Sequence, residues 1–161
     1  MRTDEIADNL RTLFSELVNG APETGAFVLN PGDRGLLASL DRLSAAAASE
    51  LRPGGSSVAA HVEHLRYGLS LMNRWAGGEN PFADASWAAS WEHTTVDEAQ
   101  WAERRRALRD QADRWLATLA APRDVNDIEL NGMIASIVHL AYHLGAIRQI
   151  DRELRGPAAN D

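Results

Sequence analysis

The sequence contains no cysteine and no lysine. Without cysteine the chain cannot form a disulfide framework, a thiolate metal site or a cysteine nucleophile. Any metal ion must therefore be held by imidazole, carboxylate or water. All 16 basic residues are arginine, and the 23 acidic residues outnumber them to give a net charge of −7. Sequence-independent binding of nucleic acid needs a basic surface, so we expect no nucleic-acid partner.

Long apolar segments are also scarce. The first ten residues, MRTDEIADNL, have none of the apolar stretch of a signal peptide. The run 132–147 carries no formal charge, but it is shorter than the roughly 20 residues of a membrane-spanning helix and contains two histidines. We therefore expect a cytoplasmic protein that does not bind a membrane.

Turn residues divide the 161-residue chain into segments with helical periodicity, and no strand-like alternation is sustained. Ser57 predicts one helix start, residues 95–98 and 126–129 predict capping boxes, and RPGG at 52–55 predicts a helix end. These signals predict four substantial helices and a shorter second one, over residues 3–18, 33–51, 57–75, 95–121 and 126–154. We expect an all-α four-helix bundle with an additional short helix, in one domain over 1–155 with a tail over 156–161.

Four histidines lie on the apolar sides of two of these predicted helices. His139 and His143 are four residues apart and so share a helix face. On the earlier helix, His61 and His64 both fall on or beside the apolar half. A single buried histidine is usually a hydrogen-bonded core residue, but imidazoles from two helices directed at one interior favour a metal site with three nitrogen ligands. Helical geometry leaves open whether His61 or His64 is the ligand.

Other kinds of site fit the sequence less well. The zinc-protease motif HExxH needs a glutamate directly after its first histidine, and Leu140 occupies that position. No glycine-flanked serine follows a strand, as a hydrolase nucleophile would. The loop 80–94 contains His93, which we expect to be exposed, and the five tryptophans are expected to be core or interface anchors.

Two segments, SSVAAHVEHL and VHLAYHLGAIRQI, resemble the DinB/YfiT-like superfamily of bacterial four-helix-bundle metalloenzymes. The resemblance extends over nearly the whole chain in helix order and spacing, and includes the tryptophan-rich loop before TVDEAQW. In that family, a histidine followed directly by leucine joins an HxxxH pair on the last helix around a divalent metal. The resemblance thus implies His64, His139 and His143 as ligands of a divalent transition metal, with zinc and nickel as the leading candidates.

The resemblance also implies a metal-dependent enzyme, either a thiol-dependent S-transferase or a hydrolase. Because the chain has no cysteine, a thiolate would have to come from a small-molecule thiol cosubstrate. We predict His61, one turn before His64, as a catalytic proton shuttle, since an unperturbed imidazole titrates near pH ~6.5. The alternative is a non-catalytic metal-binding or stress-linked interaction protein, in which the metal only stabilises the bundle.

The last predicted helix suggests a second copy of the chain as a partner. Residues 132–147 are apolar nearly all round the helix, which is more than the single stripe that a surface helix needs. We therefore expect a homodimer, because a symmetric twofold contact is the commonest way to bury a second face. The alternative is that segment 33–51 covers this face.

Overall fold

The computed structural model describes residues 2–4, 6–52 and 55–159. Within these ranges the chain is all-helical, without a β-strand, so the all-α prediction is confirmed. Two 3-10 turns, Ala89–Trp91 and Arg152–Leu154, accompany six α-helices. The helices are α1 (Ala7–Asn19), α2 (Gly35–Leu40), α3 (Ala45–Ala48), α4 (Val58–Ala76), α5 (Glu98–Ala120) and α6 (Asp127–Ile150).

The four long helices contribute to one hydrophobic core. Helix α4 packs along α5 and also contacts α6, while α1 contacts α5 and α6. Trp101 and Trp115 are fully buried. The indole nitrogen of Trp115 donates to Ser136 Oγ at 2.8 Å, which links α5 to α6 and satisfies the polar end of a buried aromatic ring. The contact between α4 and α6 brings the two histidine-bearing helices together.

Two predicted helix starts are confirmed. The hydroxyl of Ser57 accepts from the backbone N–H of Ala60, as an N-cap does. At the start of α6, Asn126 accepts from the backbone N–H of Glu129, and the Glu129 carboxylate accepts from the N–H of Asn126. These caps determine the first residues of α4 and α6, the two helices that carry the histidine pairs.

The predicted capping box at 95–98 is wrong by two residues. The box that opens α5 consists of Asp97 and Gln100, each of which accepts a hydrogen bond from the backbone N–H of the other. Glu98 has a different partner, because its carboxylate accepts from the backbone N–H of Ala45 at the start of α3. A long-range contact that the local sequence does not reveal therefore competes with the predicted cap.

Three other predicted boundaries differ from the structure. The first helix begins at Ala7 rather than residue 3, because Thr3 exchanges hydrogen bonds with the backbone of Arg123. Segment 33–51 forms two short helices, α2 and α3. Helix α6 ends at Ile150, and a 3-10 turn over Arg152–Leu154 replaces its predicted last turn. Positions 53 and 54 of the predicted RPGG helix end, position 5 of the first predicted helix and the last two residues of the predicted tail lie outside the described residues.

A buried ion pair attaches the carboxyl end of α6 to the rest of the chain. Arg148 Nη2 donates to Asp33 Oδ1 at 2.7 Å, and the same oxygen accepts from the N–H of Gly35. Asp33 is buried, and breaking a buried pair by removing one partner is strongly destabilising. This pair helps to hold α6 in the position that its histidines require.

Helix α6 is also the one helix among those described whose length and composition suit a membrane span. The uncharged run 132–147 lies inside a helix of 24 residues, so the length argument made from the sequence does not hold. A core helix of a water-soluble protein has the same properties, and one face of α6 packs on α1 and α4. The opposite face exposes the apolar side chains of Ile134, Val138 and Tyr142.

Candidate metal centre

The site consists of four histidines that α4 and α6 direct towards each other. His61, His64 and His143 are buried, and His139 is half-buried. The Nε2 atom of His139 lies 3.1 Å from Nε2 of His64 and 2.9 Å from Nε2 of His143. One imidazole from α4 and two from α6 therefore converge through the same ring atom.

These three histidines form a group that could hold a metal ion. One ring nitrogen from each of His64, His139 and His143 lies within 4.8 Å of the others. Nitrogen ligands about 2.0–2.1 Å from a tetrahedral zinc ion lie about 3.3 Å from one another. The two close Nε2 contacts are a few tenths of an ångström shorter than that, so the rings must separate slightly to admit an ion.

Ser90 determines which nitrogen of His64 carries a proton. The Ser90 hydroxyl donates its single hydrogen to the carbonyl oxygen of Trp87 at 2.6 Å. Its oxygen, 2.8 Å from His64 Nδ1, must therefore accept the Nδ1–H of His64. Neutral His64 then has a bare lone pair on Nε2, the atom that faces His139. An outer hydrogen bond that fixes the tautomer in this way is typical of metal-ligating histidines.

Hydrogen bonding cannot satisfy both close contacts of the cluster. If His139 Nε2 carries a proton, that proton can be directed at either His64 or His143 but not at both. If His139 Nε2 is bare, it can accept from His143, and it then faces the bare Nε2 of His64. Either tautomer leaves one contact without a hydrogen bond, and buried polar groups are rarely left unpaired. A cation between the three nitrogens removes this conflict.

The rings also remain uncharged at neutral pH. Burial, with a smaller contribution from the neighbouring histidines, lowers the pKa of His64 to about 4 and that of His143 to about 3. Burial likewise lowers the pKa of His61 and His139. Desolvation disfavours the imidazolium, so all four rings present nitrogen lone pairs rather than positive charges. Neutral imidazole is the form that binds a metal.

His61 contacts the ring nitrogen of His143 that does not face His139. The Nδ1 atoms of His61 and His143 lie 2.8 Å apart, so one proton bridges them. When Nε2 of His143 is bare, its Nδ1 carries that proton and His61 accepts it. The predicted catalytic role of His61 stays a prediction, and its observed contact is with the second nitrogen of a candidate ligand.

Two tryptophans of the loop enclose the rings. Trp91 stacks on His64 with ring centroids 4.4 Å apart and meets the edge of His61 at 5.0 Å. The ring centroid of Trp87 lies 5.5 Å from that of His64. The expectation that the tryptophans are core or interface anchors stays a prediction, and Trp87 and Trp91 in addition contact the histidine rings. Sequence reasoning also missed Ser90, although the motif WAASW places it one residue before Trp91 in the loop that the family resemblance includes.

Not every histidine joins the cluster. His93 is exposed, as expected, and its contact is made by the backbone, whose carbonyl oxygen accepts from Arg104 at 3.0 Å. The described histidines thus separate into four clustered rings and one exposed ring. His93 therefore provides a control position for experiments on the cluster.

A cavity of about 460 Å³ adjoins the cluster, and we call it the histidine cavity. It lies between α4, α6 and the loop 82–87, and His64 and His139 form part of its wall. Its volume falls in the range of about 300–1,000 Å³ that is usual for small-molecule sites. The candidate metal centre therefore borders a space that can accept a small molecule.

No protein-family model, curated protein or solved structure matches this chain.

Proposed function

We propose that His64, His139 and His143 hold a divalent transition metal, with zinc and nickel as the leading candidates. One observation carries this proposal. The Nε2 atoms of three uncharged histidines, two buried and one half-buried, converge at 2.9 and 3.1 Å, and no arrangement of their protons satisfies both contacts. Imidazole nitrogen is a preferred ligand of zinc, nickel, copper and iron.

We also propose that the chain is a four-helix bundle of the DinB/YfiT-like superfamily. The support is the order of the four long helices α1, α4, α5 and α6, and the location of the candidate ligands on α4 and α6. In the resemblance, one ligand comes from a histidine followed by leucine, and His64 precedes Leu65 in the same way. The short helices α2 and α3 are then an insertion between the first two bundle helices.

A catalytic role for the metal is favoured by the histidine cavity beside it. Three protein ligands leave a coordination position free for water or substrate, as in catalytic rather than structural zinc sites. When bound, such a metal supplies Lewis acidity and lowers the pKa of a bound water or thiol. Ser90 and His61 orient two of the ligand rings, while Trp87 and Trp91 limit the access of water. A thiol-dependent transfer would take its thiol from a cosubstrate, since the chain has no cysteine.

Metal titration and turnover measurements test this proposal together. The metal-free protein is titrated with zinc and with nickel by calorimetry, alongside His64→Ala and the exposed control His93→Ala. We expect one ion per chain for the wild type and for His93→Ala, and none for His64→Ala. The loaded wild type is then assayed for transfer of small thiols to electrophiles and for hydrolysis of esters and amides. Turnover that disappears with the metal supports an enzyme; tight binding without any turnover supports the non-catalytic alternative.

We further propose that the chain forms a homodimer through the outer face of α6. Ile134, Val138 and Tyr142 are 44%, 62% and 70% exposed, and they follow one another at intervals of four residues along one stripe. No charged residue interrupts the helix between residues 130 and 147. Segment 33–51, the other candidate cover, leaves these three side chains exposed. A second copy provides a stripe of the same chemistry without charge repulsion.

A further inference from the structure

Among the residues that the structure describes, none that lines the histidine cavity has a charged side chain. Apolar side chains from α4, α6 and the loop 82–87 make up most of it, including Leu65, Leu69, Met72, Phe82, Trp87 and Ala135. Besides the two histidines, the described lining residues with a polar side-chain group are Ser136 and Trp87, whose indole carries one N–H. A charged group placed in this cavity would therefore be desolvated without a partner, which is costly.

Ser136 is already engaged and cannot serve a ligand as a donor. Its hydroxyl donates to the carbonyl oxygen of Met133 at 2.6 Å and accepts from the indole nitrogen of Trp115 at 2.8 Å. The polar chemistry of the cavity is thus confined to His64, His139 and the indole of Trp87, whose ring centroid lies 5.5 Å from that of His64. A ligand finds one polar end, at the candidate metal, and an apolar space beyond it.

Two partly exposed aromatic side chains lie at the mouth of the cavity, and a third aromatic ring packs beside it. Phe82 and Trp87 line the cavity and are 41% and 42% exposed, although both are large apolar side chains. On the α6 side, the ring of Trp75 approaches Gly132 so closely that an added Cβ would lie 2.5 Å from it. Phe82 also meets the edge of the Trp75 ring at 5.6 Å. An apolar ligand would cover exposed aromatic surface at the mouth and gain the associated hydrophobic free energy.

We infer that the substrate accepted by this cavity is a neutral, largely apolar small molecule with its one ligating or electrophilic group at the end that meets the metal. This inference rests on the proposed metal centre for the position of the reacting end. In a transfer or a hydrolysis, the reactant that occupies the cavity is therefore the apolar one. Carboxylate-bearing molecules, including charged thiols, bind outside it.

Three imidazole probes test the inference on the zinc-loaded protein. Imidazole supplies a ligating nitrogen alone, phenylimidazole adds a neutral aromatic ring, and imidazoleacetate adds a carboxylate. Calorimetric titration should give a dissociation constant for phenylimidazole at least about tenfold lower than for imidazole, because the ring is buried. Imidazoleacetate should bind no more tightly than imidazole. Equal affinities for imidazole and phenylimidazole, or preference for the carboxylate, would overturn the inference and leave the metal centre standing.

Variants show whether the cavity is the origin of the preference. Ala135→Phe places a ring in the cavity without changing a histidine, and we expect it to abolish the advantage of phenylimidazole. The control is Phe27→Ala, which shortens an aromatic side chain that is 72% exposed and lies outside the cavity. The control should retain the advantage. An advantage that survives Ala135→Phe would mean that the ring binds elsewhere, which would overturn the inference.

A metal-independent measurement separates the cavity from the metal centre. Toluene, which has no ligating atom, is added to the metal-free protein, and the indole N–H resonance of Trp87 is followed by NMR. We expect a saturable shift that Ala135→Phe removes. A saturable shift together with a failure to bind zinc would refute the proposed function and preserve the apolar cavity. The absence of a saturable shift would overturn the inference itself.

Discussion

The Nδ1 atom of His61 lies 2.8 Å from the Nδ1 atom of His143, and the two rings meet at an angle of 62°. This contact uses Nδ1 of His143, whereas Nε2 of His143 faces His139. A proton held there by His61 leaves Nε2 of His143 bare and directed at His139. The pair is therefore suited to orient a metal ligand, in the way that outer hydrogen bonds orient ligating histidines in zinc sites.

The first prediction concerns His61 itself. His61→Ala should retain one metal ion per chain but lower the metal affinity by about 10–100-fold, the usual effect of losing an outer partner of a ligand. His61→Asn, whose side-chain oxygen can still accept the Nδ1–H of His143, should recover most of that affinity. Competition with a chelator of known affinity measures both variants. If His61→Ala binds no metal while His64→Ala binds normally, the ligand assignment is reversed.

Ser90 allows a similar test of His64, the candidate ligand on α4. Ser90→Ala removes the acceptor of the Nδ1–H of His64, so the His64 tautomer with a protonated Nε2 becomes populated and competes with metal binding. We expect the metal affinity to fall by about tenfold or more. Ser70→Ala is the matched control, because the Ser70 hydroxyl also donates to a carbonyl oxygen three residues earlier but lies away from the histidines. A loss of affinity as large in the control would show that the effect is not specific to His64.

The lowered histidine pKa values predict how the stability of the metal-free protein depends on pH. In the unfolded chain His64 and His143 titrate near 6.5, whereas in the folded chain burial lowers their pKa values to about 4 and about 3. Below pH 6.5 the unfolded state therefore binds more protons, and the free energy of unfolding should fall as the pH falls towards these lowered values. Each of the two rings contributes up to about 1.4 kcal/mol per pH unit to the fall in the free energy of unfolding. Above that window their contribution is constant.

Urea unfolding at a series of pH values measures this dependence. The wild type is compared with His143→Gln, which cannot titrate at that position, and with the exposed control His93→Gln. Between pH 6.5 and the lowered pKa values, the free energy of unfolding should change less steeply with pH in His143→Gln. In His93→Gln the slope should equal that of the wild type. Equal slopes in all three proteins would contradict the assigned burial of an uncharged His143.

The proposed dimer predicts a change in mass on a single substitution. Val138→Arg introduces a charge at the centre of the exposed stripe of α6, where it would face its own copy across a twofold axis. Light scattering on a sizing column should give a dimer for the wild type and a monomer for Val138→Arg, with metal content unchanged. The exposed Val28→Arg is the control and should remain dimeric. A monomeric wild type at micromolar concentration would refute the dimer.

Much of the fold and the composition of the cluster could be predicted from the sequence, because both depend on local patterns. The caps Ser57 and Asn126 determine where α4 and α6 begin. The spacing of the apolar residues then indicates which side of each helix faces the core. The histidine positions on those faces follow directly. The family resemblance favours His64 over His61 as the ligand; the group of three histidines near enough to hold a metal includes His64, and the assignment stays a prediction.

Features set by long-range contacts could not be predicted in this way. Glu98 accepts a hydrogen bond from Ala45, so it does not form the local capping box that its position suggested. Ser90 lies in a loop without helical periodicity, and no spacing rule links it to His64 across 26 residues. The splitting of 33–51, by contrast, has a local signal, because the hydroxyl of Ser44 accepts from the N–H of Ala47 as the N-cap of α3.

The measurement that tests the central claim most directly is an anomalous difference map at the zinc absorption edge, from crystals of the protein loaded with one equivalent of zinc. The account predicts a single peak per chain, about 2.0–2.1 Å from the Nε2 atoms of His64, His139 and His143. The position opposite these ligands should open towards the histidine cavity. A peak at surface carboxylates, or at His61 in place of His64, would contradict the assigned centre, as would zinc that binds in solution without a peak among the three rings.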